Sequence, residues 1–376
     1  IVSIDKPKFV ECNGNLTAQA TVKNKGIETI TAFNISYKID NGAVQTTNIT
    51  AVTLLPEATT QVNLTPAFSS AAGMHVITVY SANPVAVSGN GDQFVINDTL
   101  SKNFGVSATV SAPLIESFES AVFPPAGWVT VNPDLNTTWT KAGTGRNSSA
   151  SAYMKNFTYS YVGRVDDLYS PIINYSAADS VILSFDLAAT TNDLTNGYLD
   201  TLEVLITKDC GNSFTSVYKK WGAQLQTITS SQASEFTPAT DDQWRKEIID
   251  LTGGFSPVGP LQIVFRNTTG FGNNIYIDNV NLTAKTLPAK LKEQGYIVLP
   301  NPFTDQFSIW HLQQPTDLRY IVIYNSVGQV IWKQEYKSNA QKFITINMLR
   351  QAPGMYIVNL GYTNKSKNLR LKLIKL

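Results

Sequence analysis

Tyr296-Ile-Val-Leu-Pro300-Asn301-Pro302-Phe303-Thr304-Asp305 is the stretch from which this 376-residue chain is best read. Pro300 and Pro302 stop any helix and hold the backbone extended. Beyond them, short alternating apolar runs recur at 307–310, 318–324, 330–332, 343–346 and 356–360, and the chain closes on Leu371-Lys-Leu-Ile-Lys375-Leu376. Asn325-Ser-Val-Gly328 and Pro353-Gly354 put turn chemistry between the runs. Period-two runs at this spacing predict a small antiparallel sandwich over residues 295–376.

Pro300-Asn301-Pro302-Phe303, Ile323-Tyr324-Asn325 with Gly328, Gly354-Met-Tyr356 and the terminal Leu373-Ile-Lys375 together resemble the C-terminal sorting domain of the type IX secretion system of Bacteroidetes. The resemblance spans the tail and marks Pro300, Asn301, Pro302, Gly328, Gly354 and Lys375 as motif residues; a generic immunoglobulin-like module is the alternative. It implies an address rather than an activity. The translocon reads the tail and a sortase removes it, in a protein that is secreted or held at the outer-membrane cell surface. The lysine-bearing, turn-poor segment 285–294 is where that cut is expected.

Composition agrees with extracellular β-structure. Hydrophobic residues make up 43% of the chain, enough for real cores, while charged residues are only 15%. A net charge of +1 without a basic cluster gives no reason to expect nucleic acid. No apolar run reaches the length of a membrane helix, so no transmembrane segment is expected. Ile1-Val-Ser-Ile lacks the basic region and cleavage site of a signal peptide. Because a sorting tail acts after passage to the periplasm, the chain is expected to be a mature product or a C-terminal piece of something longer. Cys12 and Cys210, the two cysteines, fall in different expected domains. We read them as unrelated thiols, with an interdomain disulfide as the alternative that an oxidising compartment allows.

Residues 1–106 read as a first sandwich, with strands expected at 16–22, 30–39, 46–52, 61–64 and 75–80. Asp40-Asn-Gly42 is a hairpin signal. Val22-Lys-Asn24-Lys-Gly26, Leu54-Leu55-Pro56 and Gly73-Met-His75 resemble the CARDB-like modules of bacterial surface proteins, which implies an immunoglobulin-fold spacer. The polar loop at Asn90-Gly-Asp92 and Asn97-Asp98 is read as solvated, with a bound cation as the alternative. Small, polar residues 107–113 mark a boundary.

Residues 114–284 form the central domain, read as a many-stranded two-sheet sandwich. Phe118-Glu119, Gly127-Trp128, Asp167-Leu-Tyr-Ser170-Pro171 and the closing Tyr276-Ile277-Asp278-Asn279-Val280 resemble the cleaved-adhesin, MAM-like jelly roll, also called a choice-of-anchor module. Such modules occur in gingipain haemagglutinin regions and behind the catalytic domain of cytophagalysin-type metalloproteases. The fold class expected overall is all-β: three consecutive antiparallel sandwiches, immunoglobulin-like, jelly roll and immunoglobulin-like.

Chemistry is sparse. A zinc peptidase needs His-Glu-x-x-His on one helical face, and the two histidines, His75 and His311, lie far apart in different domains. Neither has a nucleophile in its own motif. Asp186, Asp193, Asp200 and Glu203 cluster in sequence, but loop carboxylates on a sandwich are more often solvated or cation-binding than glycosidic. No catalysis is expected. Two readings follow: an adhesion or binding region whose partner is a surface glycan or an extracellular protein, or the accessory region of a longer secreted hydrolase such as a zinc metalloprotease.

Three sets of residues carry expectations. In the jelly rolls that the central domain resembles, the opening and closing motifs lie on neighbouring strands, bringing Glu119 to Asp278. Paired carboxylates repel unless a cation lies between them, which suits structural calcium with Asp134 as a third ligand. Trp221, in a polar setting beside the Gln-, Thr- and Ser-rich segment 222–243, is the candidate ligand-binding aromatic. Asp98-Thr99-Leu100, Asp179-Ser180-Val181 and Asp200-Thr201-Leu202 resemble O-glycosylation sequons, making Thr99, Ser180 and Thr201 candidate acceptors.

Overall fold

The computed structural model describes residues 1–89, 95–193, 197–256, 258–337 and 340–376. Asn90, Gly91 and Asp92 of the polar loop lie outside the described residues. The structure is built almost wholly from antiparallel sheets, and none of its described helices is long and apolar enough to cross a membrane. It divides into two compact units, Ile1–Lys285 and Thr286–Leu376.

The first unit opens with a three-stranded sheet of Ser3–Lys6, Asn15–Lys23 and Thr59–Ser69. This faces a five-stranded sheet ordered Val10–Glu11, Thr99–Val106, Gly73–Ala86, Ile30–Ile39 and Gln45–Ile49. Strict alternation along Asn15–Lys23 turns Leu16, Ala18, Ala20 and Val22 inward onto Ile35, Tyr37, Ile77 and Phe104. Asn24 is buried and organises the turn after this strand. Its Nδ2 donates to the carbonyls of Glu28 and Leu54, and its Oδ1 accepts from Gly26 N.

The jelly roll in the same unit has two larger sheets. One runs Thr140–Ala142, Ser151–Met154, Ile275–Lys285, Ser180–Ala189 and Arg245–Asp250, with Leu114–Glu116 also paired to Ile275–Lys285. The other runs Val129–Val131, Val165–Tyr169, Gln262–Thr268, Thr201–Thr207 and Thr215–Trp221. Phe118, Trp128, Phe185 and Phe265 fill the space between them. Trp139 is buried with its indole donating to Asp166 O at 3.0 Å.

The two sandwiches share a seam, and here the reading of the cysteines is corrected. Cys12 and Cys210 form a disulfide across 198 residues. Val10 and Met74 of the first sandwich pack on Val129, Val131, Tyr169, Leu205 and Val264 of the jelly roll, and this apolar contact brings the two thiols together. The segment read as a boundary is itself structured: Thr109–Ser111 pairs in parallel with Ile172–Asn174.

The second unit has a three-stranded sheet of Tyr296–Leu299, Gln306–His311 and Phe343–Asn347. Its four-stranded sheet runs Val330–Glu335, Leu318–Tyr324, Gly354–Tyr362 and Leu369–Lys375. Phe303, Phe307, Ile309, Ile321, Ile323 and Tyr356 form the core. The segment expected as a linker contains a short helix, Ala289–Gln294, closed by left-handed Gly295.

Candidate functional site

The motif residues of the tail converge. Asn301 Oδ1 accepts from Ile374 N at 3.0 Å, and Asn301 Nδ2 donates to Lys372 O at 3.3 Å. Phe303 N donates to Ile374 O and Leu376 N to Phe303 O. The Pro-Asn-Pro-Phe segment therefore satisfies the outer edge of the last strand, an edge otherwise open to pairing with other chains. Pro300 and Pro302 have no N–H to give such a partner. Gly354 lies opposite Lys375 at the start of its strand, and Tyr324, at the same end, lies opposite Ile357. The turn that follows is organised by Asn325, whose Oδ1 accepts from Val327 N and Gln329 N, and Gly328 takes φ +83° there. All six motif residues thus lie toward one end of the four-stranded sheet.

Residues 297–375 match the model of the secretion system C-terminal sorting domain. The match indicates export to the cell surface or medium. No curated protein matches the chain. Among solved structures, the chain is similar to the K1 cleaved adhesin domain of Lys-gingipain from Porphyromonas gingivalis W83, at 21% identity and a TM-score of 0.33, covering 46% of this chain and 98% of that one. The K3 domain of the same protein is similar at 20% identity and a TM-score of 0.34, covering 46% and 100%. The carbohydrate-binding module CBM27-1 of Caldicellulosiruptor saccharolyticus, solved with mannohexaose, is similar at 11% identity and a TM-score of 0.33, covering 46% and 98%.

Upstream of the sorting domain, the register of the five-stranded jelly-roll sheet sets its outer face in rows. Tyr169, Val264 and Leu205 form an apolar row covered by the first sandwich. Two residues along each strand the same face carries Asp167, Arg266, Glu203 and Lys219 in register. Arg266 holds Asp167 through two bonds of 2.8 Å, and Glu203 accepts from Ser216 Oγ at 2.7 Å and pairs with Lys219 at 3.5 Å. The next row is Val165, Thr268, Thr201 and Trp221. Trp221 is 48% exposed, whereas Trp128, Trp139 and Trp244 are buried. The charged row was not legible beforehand, because its members come from four separate strands.

Segment 222–243, expected as a surface loop, is latched to the body. Asn273 Nδ2 donates to the carbonyls of Gln232 and Ser234, and Asn273 Oδ1 accepts from Phe236 N. Phe236 is buried against Trp244 and Tyr276. Asn274 Nδ2 adds a bond to Phe236 O, and Arg245 donates to Gln224 O and Gln226 O; the adjacent placement of Asn273 and Asn274 ahead of the closing strand was the available signal.

Glu119 and Asp278 both accept hydrogen bonds from the same turn, residues 145–150. Asp278 is buried and accepts from Arg146 N at 2.8 Å and Ser148 Oγ at 2.7 Å. Burial pushes its carboxyl above the usual range, only partly offset by those donors. Glu119 is exposed and accepts from Ser149 Oγ, Ser149 N and Ala150 N; the Ser149 hydroxyl leads in holding it below its usual range. Gly145 permits the approach, since a Cβ there would lie 2.7 Å from Asp278 Oδ2. Asp134 is not part of this group: it accepts from Tyr159 OH at 2.7 Å elsewhere in the jelly roll. Among the described residues, no group of three or more His, Cys, Asp and Glu side chains is placed to share a metal ion. Both carboxylates already accept from backbone N–H and hydroxyl donors of this turn.

The other candidates are dispersed. Asp186 pairs with Arg146 at 2.7 Å, Asp200 is buried on the backbone N–H groups of Gly270 and Gly272, and Asp193 bridges to Tyr198. With Glu203 on the other sheet, the four carboxylates have separate surroundings. Thr99 is exposed at the start of its strand, while Ser180 and Thr201 are half-buried at the starts of theirs. His75 bonds Asp40 and Ala71 O, and His311 bonds Tyr362.

Proposed function

We propose that this chain is the non-catalytic binding region of an exported protein, delivered by type IX machinery and holding an extracellular glycan at Trp221. The observation that carries the binding part is the exposure of that indole at the end of an edge strand, while the other jelly-roll tryptophans are buried. An indole offers a flat apolar face with a polar N–H at its rim, which suits a sugar ring. The neighbouring row of paired charges supplies acceptors and donors for hydroxyl groups without a net field. Binding of the purified chain to a panel of neutral oligosaccharides, lost in Trp221→Ala, supports the reading. Equal binding by both forms, or binding by neither, ends it. Capture of an extracellular protein through Trp221 would replace the glycan as ligand.

At the 145–150 turn, calcium is the ion that Glu119 and Asp278 would take, in exchange for the donors they now use. Ligand binding to the folded form raises the melting temperature by mass action. A rise with calcium that Glu119→Gln and Asp278→Asn abolish and Asp193→Asn keeps supports a structural ion. Identical curves in calcium and chelator leave the turn held by hydrogen bonds alone.

A further inference from the structure

Charge is divided unevenly along this chain. Residues 286–376 carry twelve Lys and Arg against four Asp and Glu, while residues 1–285 carry seventeen against twenty-four. The resulting +8 and −7 cancel to the +1 of the whole, hiding a strongly basic C-terminal unit.

Part of that charge borders a distinctive surface. Side chains alternate across a sheet. In the four-stranded sheet Ile321, Ile323, Val358, Leu360 and Leu373 enter the core, so the residues between them form the opposite face. There Ile374 lies opposite Met355, and Ile357 lies between Lys372 and Tyr324. Ile374 is 45% exposed, Met355 38% and Tyr320 38%. Tyr320 lies flat on Gly361, where a Cβ would sit 2.1 Å from Tyr320 Cζ. Arg370 and Lys372 are exposed on the same face of the last strand.

Val322, between Tyr320 and Tyr324, is buried, and Glu335, opposite Tyr320, is paired with Lys333, so Arg370 and Lys372 leave the rim net positive. Exposed apolar side chains with a polar rim mark an interaction site, and the sign of the rim selects the partner. A second copy of the unit carries the same positive charge and is repelled. An acidic surface is attracted, steered by the field and then held by apolar contact. We infer that Tyr320, Tyr324, Met355 and Ile374, with Arg370 and Lys372, form the face by which the sorting domain docks onto an acidic protein surface of the export machinery. The inference rests on the export reading above. It also assigns Asn301 a positioning role: its two bonds to Lys372 O and Ile374 N hold the last strand in the register that assembles the face.

The test uses the full chain in a type IX-competent bacterium, read by surface labelling against the periplasmic fraction. Four forms are compared: wild type, a deletion of residues 297–375, Arg370→Glu/Lys372→Glu, and Lys342→Glu/Arg350→Glu. The last makes the same charge change around the strand Phe343–Asn347 of the other sheet. Retention of the deletion and of the Arg370→Glu/Lys372→Glu form, with export of the Lys342→Glu/Arg350→Glu form, is the expected result. Melting of the purified variants separates docking from folding. Should the charge reversal unfold the tail, the milder Arg370→Gln/Lys372→Gln is expected to remain folded and lose surface exposure in part. Export of a folded face variant at the wild-type level, with the deletion still retained, overturns the inference and leaves the export reading intact. A deletion that reaches the surface overturns both. Binding of the purified chain to phosphatidylglycerol vesicles, abolished in the face variant, would make an anionic lipid surface the occupant and overturn protein docking.

Discussion

Cys12 and Cys210 are joined across the seam between the first sandwich and the jelly roll, with Cα atoms 5.7 Å apart and 198 positions between them in sequence. Beside them Lys8 Nζ donates to Asn212 Oδ1 at 2.5 Å. Thiol titration of the denatured chain is therefore expected to find no free thiol before reduction and two after it. A crosslink over so long a loop restricts the unfolded chain strongly, by about 5 kcal/mol in the chain-entropy account. Cys12→Ser with Cys210→Ser should lower the denaturant midpoint accordingly, and an unchanged midpoint would show the seam standing without it.

Gly105 is where the seam is tightest. A Cβ there would lie 2.2 Å from Val129 Cγ1, and the neighbouring Val129 is fully buried. Gly105→Val is expected to push the two sandwiches apart at a cost of about 1 to 3 kcal/mol, the usual range for overpacking. Calorimetry checks this: one transition for residues 1–285 in the native sequence, and a broadened or divided one in the variant.

Glu247 holds the edge of the six-stranded jelly-roll sheet. It is nearly buried, with Lys220 Nζ at 2.8 Å and Arg245 Nε at 2.7 Å. Burial raises its pKa, but Lys220 and Arg245 together outweigh that and hold it below the ordinary value of 4.5. A depressed carboxyl gives stability that is present above the unfolded pKa and lost as pH falls through the folded one. Acidification below 4.5 should therefore cost the native chain stability through this group. Glu247→Gln should remove that contribution and cost about 1 to 2 kcal/mol at neutral pH, because Lys220 loses its carboxylate while Arg245 keeps the carbonyls of Gln224 and Gln226. Urea melts at pH 7 and pH 4 measure both effects.

Asp200 behaves in the opposite sense. Burial pushes its carboxyl up to about 6, despite the N–H groups of Gly270 and Gly272 that it accepts from. A raised carboxyl means that the folded state binds more protons than the unfolded one, so its contribution falls as pH rises from about 4 to about 6. Asp200→Asn keeps an acceptor for the two glycines and removes the buried charge. It should raise stability at pH 8 by about 3 kcal/mol and leave it nearly unchanged at pH 4. Destabilisation at pH 8 would mean that the second carboxylate oxygen has a structural task.

The alternating runs of the tail, the turn at Asn325 and Gly328 and five strands of the first sandwich were legible in sequence because period two and turn chemistry are local properties, whereas Ser3–Lys6, Val10–Glu11 and Thr99–Val106 were not expected. Strand 30–39 was placed at its observed ends, Ile30–Ile39. The motif residues of the tail came from the family resemblance, and the exposure of Trp221 from its polar neighbours. What local pattern cannot carry is which distant elements share a face. The Cys12–Cys210 bond, the charged row from Asp167 to Lys219 and the latch from Asn273 to Gln232 each join segments whose separation in sequence says nothing of their separation in space. Asn301 shows the division most clearly. The sequence by itself determined that an Asn stands between two prolines, and so cannot extend a regular strand; only the tertiary structure decided that its amide reaches across 73 residues to Ile374 N, because strand order and register set which backbone groups are left open at an edge.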